Sequence, residues 1–238
     1  MDLNRQRRSS LRAESARFLS WEPVDTAKLH ALSEQLAERH DVEASATPEA
    51  ALAVELPFWS GVRLVAVRYG GRPGDLFVCI RDGTLLPDGV LDSTNQPVYA
   101  TNELIPPNLA PPALQLYVRF FFHFVRGTLG AFDIVETPDA INWLPDAPAA
   151  VREQVNDLLL PLTFLGQDPS GLLRLTGIVM FRNALFRTNI LVATRADEGD
   201  EKHPASRELG ELELADESLL MEDLPVVVAE QPDEEPEQ

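Results

Sequence analysis

Apolar positions along this chain follow two periods, and the change from one to the other marks out the elements. Leu29, Leu32 and Leu36 recur at steps of three and four, which places them on one face of a helix. Asp25 or Thr26 is suited to cap that helix, and the pattern fades near Val42. A looser spacing of Leu3, Leu11 and Phe18 allows a frayed helix before it. Residues 62–69 and 76–80 read as two strands joined by a turn over 70–74. The stretch 83–110 is rich in Pro, Gly and Asn and predicts a long irregular connection.

Pro111 and Pro112 suit a helix start, because proline in the first turn removes no needed N–H. That helix is expected to run to about Arg126 and stop at Gly127. Val118, Phe121, Phe122 and Val125 cover so broad an arc that it should lie deep in the fold. A strand over 131–135 and a helix over 147–160, ended by Pro161, come next. Residues 172–181 and 185–193 predict an antiparallel pair turning at 182–184. An edge strand over 208–214, a short turn or helix over 218–224 and an apolar latch at 225–228 complete the pattern.

This order is not regular βαβ alternation, and no Gly-rich strand-to-helix turn occurs. The expected class is therefore α+β: a mixed, mostly antiparallel sheet with helices packed on one face. Three regions follow from composition. Residues 1–50 form a helical N-terminal arm, and 51–228 an α+β core domain with its main body ending near 195. Residues 229–238 form a disordered acidic tail, since only proline there is not polar apart from Ala229.

Charge sharpens this division. The net charge is −18, yet residues 197–238 carry sixteen acids against Lys202 and Arg207, a net of −14, which leaves −4 for residues 1–196. A nearly neutral body offers no electrostatic footprint for nucleic acid. The basic start (Arg5, Arg7, Arg8, Arg12, Arg17) is offset by Asp2 and Glu14. No apolar run reaches the length a membrane helix needs, and the start lacks the apolar core of a secretory signal. Arg outnumbers Lys eighteen to two, a bias of GC-rich coding, so a bacterial cytoplasm is expected. The single cysteine, Cys79, lies in an apolar run and reads as a small buried hydrophobe.

Candidate chemistry is sparse. Gln115, Arg119, His123 and Arg126 fall at steps of four, four and three, a polar stripe on an otherwise apolar helix. Such a stripe either lines a pocket for an anion or forms a solvent edge paired with Asp133, Glu136 or Asp139. The four histidines (His30, His40, His123, His203) show no ligand spacing, so neither a metal nor a cofactor is expected. The acidic run 197–201 lacks the alternation of a calcium loop. Without a nucleophile elbow or phosphate loop, the expectation leans away from an enzyme. The favoured reading is a cytosolic protein-interaction module (adaptor, chaperone-like or regulatory) that engages a protein partner or itself. It would dock through its body and N-terminal helix, with the acidic tail competing for basic surfaces. The alternative is a small-molecule or anion-binding domain, or an enzyme, with a pocket between the sheet and the 112–126 helix.

Overall fold

A computed structural model describes residues 16–25, 29–39, 48–70, 74–127, 130–196 and 207–228. The expected frayed helix, the 71–73 turn residues, the 197–201 acidic run and the 229–238 tail lie outside these. So does the basic start apart from Arg17. The fold is α+β, with ten strands in two antiparallel sheets and four helices among the described residues. The sequence reading takes 51–228 as one core domain; the chain divides into two compact units. The first comprises Met1–Tyr117 with Glu208–Gly210, the second Val118–Arg207 with Glu211–Gln238.

In the first unit, β1 (Glu22–Pro23), β2 (Pro48–Glu55), β3 (Val62–Tyr69), β4 (Leu76–Arg81) and β5 (Thr84–Leu91) lie side by side in chain order. Helix α1 (His30–Arg39) precedes β2. Its Leu32 and Leu36, with Leu29 just before it, are buried against Ala53, Val65, Val67 and Val78 of the sheet. The stripe therefore docks on its own unit, each leucine contributing about 1.5–3 kcal/mol. Two polar contacts fix the helix there: the Ser33 and Tyr69 hydroxyls lie 3.1 Å apart, and Gln35 Oε1 accepts the Leu85 N–H at 2.9 Å. On the opposite face of the same strands, Leu64, Phe77 and Cys79 are buried as well. That double covering explains why β3 reads as a nearly unbroken apolar run. A bidentate pair from Arg68 to Asp75 spans the β3–β4 connection, at 2.8 and 3.2 Å.

The irregular connection expected over 83–110 is corrected by the structure. Residues 84–91 form β5, and Gln96–Leu104 form helix α2. Proline and glycine misled here for two physical reasons. Strand β5 ends the sheet order, and an edge strand tolerates Pro87 because an outward N–H needs no ladder partner. In α2, Pro97 occupies the first turn, where a missing N–H costs nothing. The Asp82-Gly83 turn enters β5 with φ of 52° and 77°, the left-handed pair of a two-residue hairpin. Strand β2 was not expected either, because its alanines carry little apolar signal.

Helix α3 (Pro111–Phe124) begins at Pro111 as expected, and the division between the units falls inside it. It ends two residues before the expected Arg126: Val125 N–H donates to Phe121 O, and the chain then turns at Gly127 and Gly130.

The second unit holds β6 (Phe132–Ile134), α4 (Ala149–Leu158), β7 (Thr163–Gln167), β8 (Leu173–Phe181), β9 (Ala184–Val192) and β10 (Leu212–Met221). Its sheet runs β10-β9-β8-β6, and β7 pairs the other end of the same β8 edge. Val155 of α4 joins Val135, Ile178, Met180 and Leu185 in the core. The expected hairpin turns at Arg182-Asn183, where Arg182 takes φ 56°. Three points differ from the expectation. Helix α4 is shorter than 147–160, and β7 was missed. The separate edge strand and turn-or-helix over 208–224 are one ten-residue strand, β10. It stays continuous through a bulge at Asp216, pinned where Thr188 donates to Ala215 O and Asn189 to Asp216. Beyond it, 224–227 pairs with 142–144: Leu144 N–H donates to Pro225 O, and Val227 N–H to Asn142 O.

Candidate functional site

The polar stripe of α3 resolves residue by residue. Gln115 and His123 are half-buried, and His123 meets Phe124 edge-on with centroids 4.7 Å apart. Arg119 grips Glu136 with both arms of its guanidinium: Nε donates to Oε2 at 2.6 Å and Nη2 to Oε1 at 2.8 Å. Glu136 Oε1 also accepts the Leu162 N–H at 2.8 Å. Burial pushes the Glu136 carboxyl up, but the Arg119 and Leu162 hydrogen bonds and the Arg119 charge outweigh it and hold the carboxyl below its ordinary range. Arg119 thus ties α3 to the segments leading into α4 and β7. Arg126 lies past the helix end, exposed. Asp133 keeps an exposed surface as a residue, yet the atoms packed around its carboxyl raise it by desolvation, and the Arg126 charge opposes that rise. Of the acids considered for the stripe, Glu136 is the one that Arg119 holds by hydrogen bonds.

A second polar assembly went unread in the sequence. Asn102 of α2 sits fully buried at its centre. Its Oδ1 accepts the Trp59 indole N–H at 2.9 Å, and its Nδ2 donates to Tyr117 Oη at 2.8 Å and to Leu209 O at 2.6 Å. Tyr117 Oη in turn donates to Gly210 O at 2.9 Å. Burial raises the Tyr117 pKa, with the Asn102 hydrogen bond opposing. Gly210 has φ 78°, and a Cβ there would lie 2.5 Å from Tyr117 Oη and 2.6 Å from Asn102 Nδ2, so only glycine fits. Each member is satisfied by the others, which marks the cluster as structural.

Cys79 is fully buried, which pushes its thiol up to about 12 and leaves no thiolate near neutrality. Among the described residues no group of three His, Cys, Asp or Glu side chains could hold a metal ion. No helix among them is long and apolar enough to cross a membrane.

The chain matches no family model, no curated protein and no solved structure. Its own surfaces are therefore the guide to function, and two stand out. At one end of the first sheet a pocket of about 490 Å3 opens between the β2–β3 and β4–β5 turns. Its walls include Glu55, Leu56, Trp59, Arg63, Ile80 and Asp82. In the second unit, the paired segments 142–144 and 224–227 turn Val226 inward and leave Leu144, opposite Pro225, and Val227, opposite Asn142, exposed, with Val228 beyond.

Proposed function

We propose that the protein is a cytosolic protein-interaction module that docks a basic partner through the second unit. The observation carrying this reading is the exposure of Leu144, Val227 and Val228 on and just beyond two paired segments, at 38%, 50% and 46%. Exposed apolar side chains gathered on one part of a surface are typical of contact surfaces. Charge supports a partner of one kind. Residues 208–238 contain twelve acids and neither Lys nor Arg, so the stretch of chain that carries Val227 and Val228 is acidic, with Arg152 the cation beside Leu144. A partner pairing an apolar contact with a basic rim suits that surface in association rate and specificity. The α1 helix drops out of the docking surface, because its apolar face is buried at home. Arg119 likewise drops out as an anion site, being held by Glu136.

The test compares the full chain with a Leu144→Ser/Val227→Ser double variant. Proteins that co-purify at low salt are identified, purified and rebound to both chains by titration. The reading expects a basic partner whose affinity falls with added salt and drops at least about tenfold in the variant, as one lost apolar anchor implies. Equal binding by both chains would sink it.

A further inference from the structure

We infer that the pocket at the end of the first sheet is a binding site for a small zwitterion of the α-amino-acid class. This site stands apart from the docking reading, which concerns the other unit. Helix α1 covers the rows of the sheet formed by Ala53, Val65, Val67 and Val78. The next row on the same face, Glu55–Arg63–Ile80, is set by the strand register and lines the pocket. Apolar character stops there and ionisable character begins. Arg63 is half-buried, Glu55 is its direct cross-strand neighbour, and Asp82 reaches the same space from the β4–β5 turn. Among the described residues, the side chains of Arg63, Glu55 and Asp82 make no hydrogen bond or ion pair. The Arg63 guanidinium at the pocket wall is therefore available to a ligand's carboxylate.

The arrangement defines the ligand. With one cation and two carboxylates the lining is net negative and disfavours a simple anion, while Arg63 disfavours a simple cation close to it. The lining fits a molecule with a carboxylate for the Arg63 fork and an ammonium for Glu55 and Asp82. The register sets Glu55 directly beside Arg63, so a ligand held by both carries its carboxylate and its ammonium close together. Leu56 and Ile80 provide an apolar wall for the ligand's own side chain. Gly61 and Gly83, with φ of 73° and 77°, hold both turns tight, so the mouth is set before a ligand arrives.

The experiment is saturation-transfer NMR on the full-length protein with the common amino acids, followed by calorimetric titration of any that bind. Binding of one or a few amino acids is expected, with acetate and methylammonium each binding at least about tenfold more weakly, the loss of one charge-assisted contact. Arg63→Gln and Asp82→Asn should each weaken binding at least about tenfold. Asp82→Asn keeps the shape and tolerates the left-handed turn, so it serves even if Arg63→Gln disturbs the fold. Failure of every amino acid to bind at millimolar concentration would overturn the proposal. So would acetate binding as tightly as the amino acid, or unchanged affinity in Asp82→Asn with its melting temperature preserved.

Discussion

The two units share an element order, a ten-residue helix followed by a four-strand antiparallel meander: α1 with β2–β5, and α4 with β7–β10. They dispose of their apolar surface very differently. Of seven exposed large hydrophobics among the described residues, only Leu104 belongs to the first unit. Leu144, Leu160, Leu165, Leu219, Val227 and Val228 belong to the second. The first unit buries both faces of β3, while the last strand of the second is half-buried or exposed along its whole length. Equal topology therefore does not mean equal closure. A helix settles onto each sheet, α1 against Ala51 and Ala53 and α4 through Val155, so the difference lies in what covers the remaining strands. Polar cement differs too. The first unit is joined by a neutral, fully buried cluster around Asn102, the second by the half-exposed Arg119–Glu136 pair.

Leu36→Ala probes the sealed face most severely. It should cost about 2–5 kcal/mol, the range for an aliphatic side chain deleted from a packed core, and raise hydrogen exchange in β3 and β4. A loss under 1 kcal/mol, read from denaturant melts, would mean α1 is not seated on the sheet. Asn102→Ala should cost about 2–4 kcal/mol, because the Trp59 N–H, Tyr117 hydroxyl and Leu209 carbonyl lose partners together. Neutral behaviour in the same melts would show that water takes the place of the amide.

Glu136→Gln should cost about 1–3 kcal/mol, with faster exchange confined to β6 and β7. Its pH dependence has a definite sign. The folded carboxyl titrates below its unfolded value, so the pair stabilises fully above the ordinary carboxylate range and is lost as pH falls through the folded pKa. Wild type and Glu136→Gln should therefore converge in stability at low pH; a gap that persists there breaks the assignment. The smallest effect belongs to the exposed cluster. Leu144→Ser/Val227→Ser should shift stability by no more than about 0.5 kcal/mol per site, since neither side chain is packed inside. A larger loss would make those residues part of the core. Cys79 adds a kinetic control: it should resist a thiol reagent at pH 8 until the first unit unfolds, and prompt labelling would contradict its burial.

Much of this was legible in the sequence, and the misses share a cause. The α1 stripe, the β8–β9 hairpin and the proline start of α3 were readable because neighbours in the chain carry their signal. The β5 strand and α2 were hidden behind Pro87, Gly89 and Pro97, which are harmless at an edge and in a first turn. Spacing put Arg119 on a polar face, yet could not choose among Asp133, Glu136 and Asp139 as its partner. The Asn102 cluster draws on contacts 43, 15, 107 and 93 residues apart, beyond the reach of any periodic pattern. The pocket row was invisible for the same reason, since strand register alone brings Glu55 beside Arg63.

Gly210 carries a consequence for the order of synthesis. The first unit needs the Gly210 carbonyl to satisfy Tyr117, and 93 residues separate them. A ribosome adding roughly 5–20 residues per second needs on the order of 5–20 s to cover that stretch. Throughout that interval the nascent first unit carries a tyrosine hydroxyl and an asparagine amide facing an empty seat. Its folding clock is set by translation of nearly the whole chain, and a truncated transcript would yield a first unit that never locks.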